Sequence, residues 1–490
     1  MHRVVKLLLL ICIFSITVTC VSNQKKTYVV VCFDVEDYTT PASEGIDEIP
    51  KWLAETMTEV GVTGTFFVIG EKARSLEKRG RLDVIEAMAK HDIGSHTNLG
   101  SIHPTVTERL EKLDWPSGVK RMLEDESTGF DELQRIFKVP VSTLARHGGS
   151  YGPQLITALG QMGAGYVYSP IYLPGHNAVW FCNTLNFHGE YGSFDDSYYR
   201  DDLFEPLLDS ARTWLPELAQ KVDVISFFGC HPCKVRGEQF WDFNYYRGAN
   251  PDSADWKTPE LRPLESMKTA RNNFRRLMQF LKSRDDIEIT TFRSLMQLYS
   301  NQKEYIREKN LIAYTQQLLK EQTIPVNEYF TPAELFTALT VSIIQYQQTG
   351  QIPDKVKRKS PFGPESMPEE TPGIEALDQS RIFELAQKCG AHISDQNNLP
   401  AAVSVDEQKI GTGSILAVMS QFYLDITAKN VNDNYVVPAF DAYPKTNAKE
   451  IITKVTGMGN WRVHRPGLDM TNLAELTRLQ LWTLKPAHVL

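Results

Sequence analysis

Residues 27–38 read TYVVVCFDVEDY. Val29, Val30, Val31, Cys32 and Phe33 form an unbroken, largely β-branched apolar run, the pattern of a strand buried on both faces. Three carboxylates follow almost at once: Asp34, Glu36 and Asp37. Acids just past the C-terminal end of a buried strand lie where α/β folds and barrels build their sites. A solvated acidic loop would look the same in isolation, so the reading turns on how the later strands end.

Outward from this stretch, strand-like and helix-like patterns alternate. Apolar periodicity predicts helices over 50–60, 81–90, 119–137, 154–162 and 265–282, and strands over 62–69, 92–95, 141–145, 165–168, 222–228 and 287–290. Such alternation over residues 27–300 implies βα units around a mostly parallel sheet or barrel. The strand at 92–95 runs into His96, that at 141–145 into Arg146, and that at 222–228 into Cys230 and His231. Four independent strand ends therefore carry acid, His, Arg and His in that order, which a solvated loop does not explain.

The 490 residues suggest two or three domains. A net charge of −8 excludes nucleic acid as a default partner, because no basic surplus exists to neutralise phosphates. Arg3 and Lys6 precede an apolar run over 7–18, too short to span a bilayer, so residues 1–20 read as a signal peptide. That predicts a secreted or cell-envelope protein (periplasm or cell surface), with Cys20 as the candidate for a lipid anchor and no transmembrane domain after signal removal. Cys32, Cys182, Cys230, Cys233 and Cys389 are too few and too scattered for a disulfide scaffold. Cys230 and Cys233 are expected as a local disulfide or as two thiols.

From residue 303 strands thin out and helices alternate with Pro-containing extended pieces. Residues 324–346 and 399–426 share an Ile/Leu-Pro start, a short extended piece and an amphipathic helix, a faint repeat at a spacing of roughly 75 residues. Residues 360–373, SPFGPESMPEETPG, read as a loop or linker. Trp180, Trp241, Tyr245 and Tyr246 are candidates for a glycan cleft, since aromatic faces stack on sugar rings. Asp195, Asp196, Asp201 and Asp202 read as a solvated loop.

FDVED (33–37), TGTFFVIGEKA (63–73), GSHTNLGSIHP (94–104), RHGGSYGP (146–153) and ISFFGCHP (225–232), taken as an ordered set, resemble the motifs of the polysaccharide deacetylases, the NodB-homology family of metal-dependent carbohydrate esterases. The resemblance covers residues 26–300 and implies a distorted (β/α) barrel, followed here by the helical region 303–490. It implies removal of acetyl groups, N-acetyl foremost, from a polysaccharide or cell-wall glycan. A divalent metal is also implied, with zinc the first choice and cobalt or manganese as alternatives. By the same resemblance Asp34 is the general base, His231 the general acid and Arg146 the residue that orients the base. Tyr151 stands where a backbone N–H supports the oxyanion. Glu36, with Asp37 as the alternative carboxylate, joins His96 and His103 as the metal ligands. The chemistry needs these types: two imidazoles and a carboxylate leave a metal open to acidify water and polarise a carbonyl, a second carboxylate takes the proton, and an imidazole protonates the leaving amine.

Two departures stand out. The family spaces its ligand histidines four apart, yet position 100 is Gly100; a three-residue insertion would bring His103 into the role. If it does not, the alternative is a surface glycan-binding protein that keeps the fold with impaired catalysis. The third motif lacks the usual prolines and has His147, Gly148 and Gly149 after its arginine. The C-terminal region resembles the pseudomurein-binding type of envelope repeat through TPAELFTAL and YQQTGQIP, which implies a cell-wall polymer as a further partner.

Overall fold

The computed structural model describes residues 27–189, 191–374, 376–458 and 461–490. The targeting segment and Cys20 lie outside them.

The architecture is mixed α/β around a curled, mostly parallel half-barrel sheet. β1 (Thr27–Val35) lies one place from an end of its strand order. It pairs in parallel with β2 (Thr65–Val68), β8 (Val224–Cys230) and β9 (Ile287–Thr290). The sheet continues from β2 through β3 (Asp92–Ser95), β4 (Val141–Ala145) and β5 (Gly165–Ser169) to the antiparallel pair β6 (Ala178–Phe181) and β7 (Thr184–His188). The curl brings the chain after β7 back to β8: Tyr191 N–H donates to Ser226 O (2.9 Å) and Phe228 N–H to Tyr191 O (2.9 Å).

The apolar run of β1 serves two cores because strand side chains alternate. Val29, Val31, Phe33 and Val35 pack under the outer helices, while Val30 and Cys32 join Phe67, Val167, Phe187, Phe228 and Phe292 inside the curl. Asp34, two residues after Cys32, therefore opens into the top of that interior. Gly94 on β3 is required for packing: a β-carbon there would lie 2.4 Å from Cδ1 of Phe67.

Helices Glu308–Glu321, Pro332–Thr349, Gln379–Gln396 and Thr412–Ala428 form a second core. Among the described residues, no helix is long and apolar enough to cross a membrane. The packing does not follow a cut near residue 300. Ile451 and Val455, on helix Ala448–Met458, Leu473 and Leu476, on helix Thr471–Gln480, and Val463 between them all pack into the first core. Beyond these, Lys485 and Pro486 add an antiparallel strand to β6, opposite Trp180 and Val179.

The two regions share a buried ion pair. Glu334 closes the capping box of helix Pro332–Thr349 and also accepts from Lys485 Nζ (2.8 Å) and Arg358 Nη1 (2.8 Å). Burial opposes its charge, but these two cations hold its pKa below the ordinary value. Glu334→Ala leaves Lys485 buried without a counter-charge and is expected to cost about 3 kcal/mol in chemical unfolding; a loss under about 0.5 kcal/mol would refute this role.

Candidate metal and hydrolytic site

Five side chains, Asp34, Glu36, His96, His147 and His231, come together from four strand ends. Glu36 follows β1, His96 follows β3, His147 stands two residues past β4, and His231 follows β8 directly. One ligand atom each from Glu36, His96 and His147 lies within 4.8 Å of the others, as do those from Asp34, Glu36 and His231. Glu36 Oε1 is 2.9 Å from His96 Nε2, 3.4 Å from His147 Nδ1 and 3.8 Å from His231 Nε2. Its other oxygen accepts from the fully buried Trp241 indole N–H at 2.6 Å. Asp34 Oδ2 is 3.7 Å from both His96 Nε2 and His231 Nε2.

The donors fit a divalent cation on two counts. His96 Nδ1 lies 3.1 Å from Ala145 O and its Nε2 2.9 Å from Glu36, so acceptors face both ring nitrogens. A neutral imidazole has one N–H. Burial pushes His96 down to about 4, so the ring is neutral at ordinary pH. With its proton on Nδ1, the Nε2 lone pair faces carboxylate lone pairs, an arrangement a shared cation relieves. Secondly, His147 Nδ1 is buried and makes no hydrogen bond, while its Nε2 is held 2.8 Å from Ser101 Oγ. It is an orphaned nitrogen aimed at the same carboxylate oxygen.

His231 is built differently. Its Nδ1 is 2.7 Å from Asp195 Oδ2, and its backbone N–H donates to Asp195 Oδ1 at 2.6 Å. Burial disfavours the imidazolium, but Asp195 first, then Glu36 and Asp34, hold its pKa well above the usual value. Burial likewise works against a charged Glu36; His147, His96 and His231 outweigh it and keep the carboxyl well below its ordinary range. Asp242, beside Ser101, is pushed up to about 7 by burial and by Glu36.

The structure does not bring every expected residue to this centre. His103 is engaged elsewhere, with Nδ1 2.8 Å from Glu108 and Nε2 2.9 Å from Tyr245 O. Asp37 turns back on its own loop and accepts from the Thr39 and Thr40 amides (3.1 and 2.9 Å) and the Thr40 hydroxyl (2.7 Å). The Tyr151 amide donates to Thr107 Oγ1 at 2.7 Å, and its ring is fully buried, so this N–H is spent. Arg146 lines a neighbouring cavity of about 300 Å³ with Tyr168, His188, Tyr191 and Lys454. Trp241 and Tyr245 are buried supports of the site, not the walls of a cleft. Asp195 serves His231 and Asp196 pairs with Lys234 (2.9 Å), which corrects the reading of that loop as merely solvated. Cys230 and Cys233 are free, buried thiols.

His147 and Asp195 were the residues sequence reasoning missed. The signal for His147 was in view, a histidine beside the strand-end arginine. Asp195 carries none, because only the fold brings residues 195 and 231 together.

No family model and no curated protein matches the sequence. Among the solved structures that match are polysaccharide and peptidoglycan deacetylases, a CE4-family pseudoenzyme and an allantoinase, all at low identity. A Mycobacterium smegmatis protein described as a polysaccharide deacetylase is 13% identical, over 56% of this chain and 91% of its own, at a TM-score of 0.37. The Puue allantoinase gives the same four figures. A CE4-family pseudoenzyme from Bacillus anthracis is 11% identical over 56% of this chain and 66% of its own, at a TM-score of 0.31. These likenesses concern the path of the chain alone.

The Asp195–His231 pair makes a checkable statement about pH. Its folded pKa lies above the unfolded value near 6.5. The contribution to stability is therefore complete below about pH 6.5 and is lost as pH rises through the folded pKa. Asp195→Asn removes the leading favourable charge, and the His231 imidazole titration followed by NMR is expected to move down. An unmoved titration would show that Asp195 does not set it.

Proposed function

We propose that this chain is a metal-dependent hydrolase that removes acetyl groups, N-acetyl foremost, from an acetylated glycan. The observation that carries the reading is the convergence of Glu36, His96 and His147 beside Asp34 and the Asp195–His231 pair. The first three would hold a divalent cation, and two imidazoles with one carboxylate are a donor set suited to zinc. Such an ion lowers the pKa of water and polarises an acyl carbonyl.

The chain's own groups divide the proton transfers. Asp34 is the base that takes the proton of the attacking water; Tyr168 Oη, 3.4 Å from Oδ1, stands against its other oxygen. His231 enters protonated, with Nδ1–H fixed on Asp195 and Nε2–H turned inward, so it can protonate the leaving amine nitrogen. Ala145 O fixes the His96 tautomer and Ser101 orients His147, the supporting contacts that ligand imidazoles require. The targeting segment over 1–20 supports action outside the cytoplasm, at the cell surface or in the periplasm.

A second reading, glycan binding without turnover, rests on Gly100 standing where the deacetylase motif calls for histidine. The position of His147 favours the enzyme, because it offers a second imidazole from another strand end.

Three variants test the assignment. Asp34→Asn is expected to retain metal and lower acetate release about 10²- to 10⁴-fold. His147→Ala is expected to weaken metal binding by more than about 100-fold, since even losing a supporting partner costs 10- to 100-fold. His103→Ala should leave metal content at the wild-type stoichiometry. Loss of metal from the His103 variant alone would reverse the ligand assignment. Full metal loading with no acetate release from any acetylated oligosaccharide would favour the binding reading.

A further inference from the structure

Of the aromatic residues that the sequence places on the late loop, Trp241 and Tyr245 are buried and Tyr246 is half-buried. An exposed aromatic comes from elsewhere in the chain. Trp461, in the segment before helix Thr471–Gln480, lies against Gly148, the residue after His147. Gly148 has φ +55°, and a β-carbon there would sit 3.3 Å from both Cδ1 and Nε1 of the indole. The ring therefore rests on backbone at this point, yet Trp461 is 48% exposed.

The segment carrying Trp461 is fastened to the loops that surround the candidate site. Arg247 N–H donates to Arg462 O at 2.5 Å and Gly248 N–H to Val463 O at 3.1 Å. His464 is buried, with Nδ1 3.0 Å from Thr105 Oγ1. Arg465 N–H donates to Glu108 Oε1 at 2.6 Å, and its guanidinium pairs with Glu111. Glu108 is the same carboxylate that holds His103. Gly248, at φ +83°, lets the segment come close, since a β-carbon there would lie 3.0 Å from Arg465 Cβ.

From this juxtaposition we propose that Trp461 is a carbohydrate platform: a pyranose ring of the glycan substrate stacks on its open face, next to the residue whose acetyl group meets Glu36, His96 and His147. The inference rests on the deacetylase reading and adds to it that the C-terminal segment contributes to substrate binding. An indole held by its backbone contacts gives up little conformational entropy on binding. Gly148 directly follows His147, and successive Cα atoms are about 3.8 Å apart, so a ring on Trp461 lies within one or two sugar units of the carboxylate. Aromatic stacking of this kind is worth about a 2- to 10-fold change in affinity.

The test uses the full chain and a neutral probe, the β-1,4-linked tetramer of N-acetylglucosamine. The chain has 8 tryptophans, so the emission change on titration is read as the difference between wild type and Trp461→Phe. The expected result is an emission change in the wild type that is lost in Trp461→Phe. That variant keeps its calorimetric affinity within about 2-fold, because phenylalanine still stacks. Trp461→Ala is expected to weaken tetramer affinity and raise KM about 2- to 10-fold without lowering the unfolding midpoint. Equal emission changes in wild type and Trp461→Phe, or wild-type affinity in Trp461→Ala, would overturn the proposal. A Trp461 response without acetate release would leave the platform standing and defeat the deacetylase reading; acetate release without that response does the reverse. Failure of the wild type to bind the tetramer would defeat the platform outright.

Discussion

The site depends on keeping the Glu36 carboxylate ionised in a fully buried position. Removing a carboxylate from water costs several kcal/mol unless charges and hydrogen bonds replace the lost solvent. Glu36 meets this requirement with an indole N–H on one oxygen and three imidazoles around the other. Each partner comes from a different part of the chain, so the curl of the sheet, the loop carrying Trp241 and the turn after β4 must all be correct together. Those imidazoles also leave an unbalanced set of lone pairs. The cluster is well suited to hold charge and poorly suited to remain a closed hydrogen-bond network.

A second layer of buried charge fixes the loops. Lys72 joins Asp47 (2.5 Å) and the Asp37 carbonyl, and Arg79 adds a second cation to Asp47 (2.9 Å), so the acid-bearing turn after β1 is anchored from beneath. Asn98 N–H donates to the buried Glu126 (2.9 Å), whose carboxyl burial pushes up to about 7, and this ties the loop after His96 to helix Trp115–Phe137. These contacts explain why the segment from 96 to 103 takes a path that sends His103 to Glu108 instead of inward. A β-carbon at Gly100, φ +57°, would lie 2.7 Å from Ile69 Cδ1, so a histidine at this point of the turn would be strained and crowded.

Much of the fold was legible because its periodicities are local. Strands Asp92–Ser95, Val141–Ala145 and Ile287–Thr290 and helix Glu265–Lys282 fall on the residues where apolar patterning puts them. The hairpin of β6 and β7 escaped notice because its turn, Cys182 and Asn183, uses positive φ at residues that carry no strong turn signal as a pair. Helix Asp201–Ala219 was hidden by Pro206 and Pro216 within it. In the site, the residues at strand ends could be read, since strand direction fixes where they lie. The choice between His103 and His147 could not. Spacing along a loop does not say which way the loop turns, and that was settled by Glu108, five residues beyond His103, and by Ser101, 46 residues before His147.

The strand at Lys485–Pro486 has a bearing on how the molecule is made. It covers the edge of β6, and an uncovered edge is a template for pairing with other chains. During synthesis β6 leaves the ribosome about 300 residues before its partner does, an interval of about 15 to 60 s at usual elongation rates. For that time the early sheet has an open border, and the arrival of Lys485 and Pro486 both shields it and brings Lys485 to Glu334. Closure of that edge thus waits on residues far along the chain, and translation stalled before residue 485 would leave a nearly complete site beside an unguarded edge.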